Sequence, residues 1–67
     1  MKRTYYIDGE EVTRHAFFKQ LENSVYHHWR SGANIWWCFE DYYGYIKSEI
    51  RGGSVFNHGS TFYSEVL

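Results

Sequence analysis

From Phe17 onward, apolar residues recur at helical spacing, and this stretch constrains the fold more than any other. Phe18, Leu21, Val25 and Trp29 fall on one stripe at ~100° per residue, with Phe17 and His28 on its edge. Glu22, Asn23, His27 and Arg30 lie outside the stripe. Thr13 stands where a helix N-cap belongs. Gly32 stands where a left-handed residue ends a helix, and Arg30 suits the negative end of the helix dipole. The spacing therefore predicts one amphipathic helix over about 14–31. A helix with one apolar stripe must bury it against another layer.

The flanking segments read as strands. Arg3 to Ile7 is a strand, Asp8-Gly9 a tight turn, and Glu10-Glu11-Val12 a short returning strand. After Gly32 the pattern follows a period of two. Ile35, Trp37 and Phe39 share one face and would fill the groove under the helix; Trp36, Cys38 and Glu40 share the other. Asp41 and Gly44 suit the first and fourth positions of a type I turn. Ile46, Ser48 and Ile50 then alternate with Tyr45, Lys47 and Glu49. An unbroken strand bulged at Gly44 is the alternative. Gly52-Gly53 is a turn, Ser54 to Asn57 a short strand, His58-Gly59 a turn, and Thr61 to Val66 the last strand. The expected fold class is α+β: one amphipathic helix (about 14–31) packed on a small antiparallel sheet, in the order ββαββββ, as a single domain over 1–67.

Size limits what this core can do alone. A domain of about 60 residues buries only roughly 60% of the surface its unfolded chain exposes. A single core this small rarely supplies more than ~3–5 kcal/mol. Cys38 is the only cysteine, which rules out an intrachain disulfide and fits a reducing compartment. The His and Cys residues show no ligand-pair spacing, so no structural zinc and no cofactor are expected. His27 and His28 are adjacent on a helix and diverge by ~100°. Oligomerisation, or docking on a partner, is the staple left over.

The chain holds three Trp, seven Tyr and five Phe, crowded around Trp36 to Tyr45. Aromatic residues carry large buried areas and are enriched at interfaces. One helix covers only one face of a sheet. Trp36 and Cys38, joined by Tyr42, Tyr43 and Tyr45, are therefore the expected interface residues. The alternative is a twisted sheet that wraps both faces into one core.

Catalysis finds no support. Cys38 lies between Trp37 and Phe39, a setting that suits a small hydrophobe rather than a nucleophile. The Gly pairs are too short and isolated for phosphate loops. Asp8, Glu10 and Glu11 read as turn and strand-edge charges. Net charge is −1 and the cations Lys2, Arg3, Arg14, Lys19, Arg30, Lys47 and Arg51 are scattered, which disfavours nucleic acid. No signal segment or membrane-length apolar run is visible, so a cytoplasmic protein is expected.

The opening Tyr5-Tyr6-Ile7-Asp8-Gly9-Glu10-Glu11-Val12-Thr13, with Phe17-Phe18 and Leu21, resembles a pattern in small phage and mobile-element proteins. Some small phage proteins inhibit bacterial defence systems by binding them, the anti-CRISPR proteins among them. The resemblance implies a non-enzymatic protein-binding module, a phage-encoded inhibitor in the host cytoplasm that occludes a host protein or blocks its conformational change. It implies no catalytic residue. A homodimer through the Trp36 face is the expected self-association. The second functional reading is a single-stranded nucleic-acid binder that stacks bases on Trp36, Tyr43 and Tyr45.

Overall fold

In the computed structural model of the protein, residues 2–33 and 36–66 are described. The expected elements up to the first helix are in place. Strand β1 (Arg3–Ile7) turns at Asp8-Gly9 into β2 (Glu10–Val12), and helix α1 (Arg14–His28) follows. Asp8 and Gly9 both have positive φ, 53° and 83°, the conformation a two-residue hairpin turn requires. The Asp8 carboxylate accepts from the Thr61 amide at 2.9 Å, and the Asp8 amide donates to the Thr61 carbonyl at 2.8 Å. These bonds fasten the turn to a strand distant in sequence. Thr13 caps α1, its Oγ1 accepting from the Ala16 amide at 3.2 Å.

The stripe on α1 is rotated slightly from the expected one. Phe17, Leu21 and Val25 are fully buried, while Phe18 and Trp29 are half-buried on its edge. The helix then widens into a π turn over Trp29–Ala33, ended by Gly32 at φ 94°. Ser31 Oγ donates to the His28 carbonyl there, at 2.6 Å.

Beyond the turn, the structure departs from the strand reading. Phe39–Arg51 is a second helix, α2, where strands and a turn at Asp41–Gly44 were expected. Tyr42, Ile46 and Ile50 recur every four residues and are all buried. Glu40 and Asp41 sit in its first turn and Arg51 in its last, each suited to the helix dipole. Neither the turn at Gly44 nor the bulged strand is present. The expected core role of Ile35 lies outside the described residues. The α+β class holds, with ββααββ as the order of regular elements instead of ββαββββ.

Strands β3 (Phe56–His58) and β4 (Ser60–Val66) complete one antiparallel sheet in the order β2-β1-β4-β3. Tyr6 lies opposite Tyr63 and Ile7 opposite Phe62. Both helices pack on the face that carries Tyr5, Ile7, Phe62 and Ser64. Ring contacts bind the layers: Tyr5 to Phe17 at 4.9 Å and Phe17 to Phe62 at 5.8 Å. Ser64 is buried but satisfied, receiving a bond from Arg3 and donating to the Ile50 carbonyl. On the other face Tyr6 and Tyr63 stack at 5.0 Å. The Glu65 carboxylate beside the Tyr6 hydroxyl, then partial desolvation, raises the Tyr6 pKa. No described helix is long and apolar enough to cross a membrane.

Candidate interaction surface

Ahead of α2, the backbone at Trp37 is fixed by a side chain from the end of α1. Trp29 Nε1 donates to the Trp37 carbonyl at 2.7 Å. With its backbone held there, Trp37 lays its ring 5.6 Å from Tyr45 and 6.1 Å from Tyr42. Trp37 remains 43% exposed, contrary to its expected place under the helix, and Trp36 beside it is 92% exposed. Tyr45 is 47% exposed and its hydroxyl donates to Glu49 Oε1 at 3.0 Å. That hydrogen bond to a carboxylate raises the Tyr45 pKa and favours the protonated, donating phenol. Past Tyr45 and Glu49, the exposed Val55 borders the same shallow recess. Trp37 and Tyr45 thus form an exposed aromatic pair, Tyr45 shares a recess with Glu49 and Val55, and Trp36 stands exposed next to Trp37 in the chain.

The five expected interface residues separate on this frame. Trp36, Cys38 and Tyr45 are exposed. Cys38 occupies the N-cap position of α2 without a side-chain capping bond, an exposed site rather than the apolar setting expected. Tyr42 is in the core, 6% exposed, with its hydroxyl 2.9 Å from His28 Nδ1. Tyr43 points to the opposite side of α2, stacked on Phe39 with its hydroxyl donating to the Phe18 carbonyl. Burial, then the nearby Glu22, raises the Tyr43 pKa. The helix explains the split, because positions 43 and 45 are ~200° apart at ~100° per residue.

Two groupings were not visible in the sequence. His28 and His58 meet at 4.9 Å between ring centroids, with Phe56 and Tyr42 against His28. Strand β3 brings His58 to the end of α1, and Ser24 Oγ holds it there through the His58 carbonyl at 2.6 Å. No cluster of three or more potential metal ligands occurs among the described residues. The second grouping is basic. Arg3, Arg14, Lys47 and Arg51 line one cleft between the sheet and the two helices. Comparison with family models, curated proteins and solved structures finds no match to this chain.

Proposed function

We propose that the protein is a non-enzymatic protein-binding module that acts through the exposed Trp36, Trp37 and Tyr45. The carrying observation is Trp36, 92% exposed beside a half-exposed Trp37. Large aromatic side chains left in water have an incentive to be covered, and Trp and Tyr dominate binding hot spots. The resemblance of the opening segment to small phage proteins supports inhibition of a bacterial defence protein by occlusion. It also supports action in the host cytoplasm. A second copy of the chain is the partner proposed for the same residues in the absence of a target, since twofold pairing buries identical surfaces on both subunits at once.

Base stacking on a sheet loses its geometric basis. Trp36 lies in a linker, and Tyr43 and Tyr45 are on opposite sides of α2.

Sedimentation velocity tests the self-association. The wild type is expected to be a dimer at micromolar concentration, and Trp36→Glu a folded monomer. A single-chain mass for the wild type removes the dimer. Affinity purification from a bacterial host lysate tests the target. One protein retained by the wild type and lost with Trp36→Glu supports the module; recovery of nuclease-sensitive nucleic acid instead would overturn it.

A further inference from the structure

The chain holds seven Lys and Arg against eight Asp and Glu, nearly balanced. The fold does not keep them mixed. Four of the seven cations line one cleft, and no carboxylate of the described residues lines it with them. Three of them have neutral side-chain partners: Arg3 Nη1 donates to Ser64 Oγ at 2.9 Å, Arg14 lies 5.8 Å from the Phe18 ring centroid, and Lys47 lies 4.5 Å from that of Tyr43. Lys47 and Arg51 are one helical turn apart on α2 and project to the same side. Arg14 opens α1, whose first turn has no acidic residue. A cation at that end opposes the helix dipole, and an anion in front of it would relieve the conflict. Like charges gathered in one cleft repel one another, and an anion bound among them would relieve that repulsion.

We infer that this cleft binds a compact polyanion carrying two or more phosphoryl groups. Arginine forks match phosphoryl oxygens two bonds at a time, and lysine supplies a mobile point charge beside them. The exposed Ser48 hydroxyl on the cleft wall adds a neutral donor. The surroundings select a compact ligand over an extended one. Glu22 borders the adjoining recess beyond Arg14 on one side, and Glu11 borders the recess beyond Arg3 on the other. The positive surface is thus interrupted at both ends, where a nucleic-acid backbone would need it to continue. Neither tyrosine in the wall is a free stacking platform: Tyr43 has Phe39 stacked on it and Lys47 over its ring, and Tyr5 packs against Phe17 and Phe18.

Isothermal titration with inorganic tripolyphosphate at low ionic strength is the test. Saturable binding at one site per chain is expected, weakening as salt is raised. The double variant Lys47→Gln/Arg51→Gln should bind at least about tenfold more weakly, the loss expected for two charge-assisted contacts. Both residues are exposed, and circular dichroism checks that the variant is folded. Arg30→Gln is the control, since Arg30 lies over Tyr26 and away from the cleft, and it should bind as the wild type does. Amide shift changes in the wild type should centre on Arg14, Gly44 and Ser48, a readout independent of any variant. Three outcomes would each overturn the inference: no binding at millimolar tripolyphosphate, shifts centred elsewhere, or an Arg30→Gln loss equal to that of the double variant. Tighter binding of oligothymidylate than of tripolyphosphate at equal phosphate concentration would also overturn it, in favour of a nucleic-acid backbone.

Discussion

Leu21→Ala is expected to destabilise the protein by ~2–5 kcal/mol, the usual cost of truncating a buried leucine. Leu21 is fully buried between Phe17 and Val25, the other two α1 residues with no exposed surface. The same core receives Tyr42, Ile46 and Ile50 from α2 and Ile7, Phe56 and Phe62 from the sheet. A cavity at Leu21 therefore weakens several elements together. Single cores of this size rarely supply more than ~3–5 kcal/mol, so the variant should be largely unfolded without denaturant. Chemical denaturation followed by far-ultraviolet circular dichroism measures this directly. A midpoint equal to that of the wild type would show that Leu21 does not face the core.

The second large effect concerns Gly44, midway along α2. Gly44→Pro should cost ~3 kcal/mol or more, because proline removes a helix hydrogen bond and its ring meets the preceding turn. Gly44→Ala should act in the opposite direction, by ~0.5–1 kcal/mol, through lower entropy of the unfolded chain. A Cβ at Gly44 meets no atom within 4 Å, so the alanine needs no rearrangement. Thermal and urea denaturation of the two variants therefore give shifts of opposite sign. A proline variant as stable as the wild type would remove Gly44 from a helix interior.

Gly44 is also where the sequence misleads. Ile46 and Ile50 are four apart, a spacing that satisfies both a period of two and a period of 3.6. Ser48 distinguishes the two: a strand puts it with the isoleucines, whereas in α2 it is exposed while both isoleucines are buried. Tyrosines and isoleucines around a glycine carry strand and turn propensities, and tertiary packing overrode them. The helical signals were present in Glu40 and Asp41 at one end and Arg51 before Gly52 at the other. By contrast, α1 was legible because its cap, its stripe and its terminal glycine agree. Trp36 was expected on the uncovered face of a strand; it is exposed, but ahead of α2 and not in a strand. The departure of Tyr42 into the core was not expected, since it depends on the helical period. The basic cleft could not be read along the chain at all. Arg3, Arg14, Lys47 and Arg51 come from separate elements, and only the packing of β1 with both helices brings them together.

The pairing of β1 with β4 has a consequence for how the protein is made. Arg3 lies opposite Val66, so the two central strands of the sheet come from distant parts of the chain. The first hairpin and α1 leave the ribosome well before their main partner. A two-stranded hairpin is marginal in water, and α1 alone cannot bury Phe17, Leu21 and Val25. The sheet closes only after the residues up to Val66 have been released, when the entropy of a long loop is offset by many contacts at once. The sheet therefore waits on its last strand, however early the first hairpin is made. A nascent chain arrested after Arg51 would present its aromatic side chains to chaperones rather than to one another.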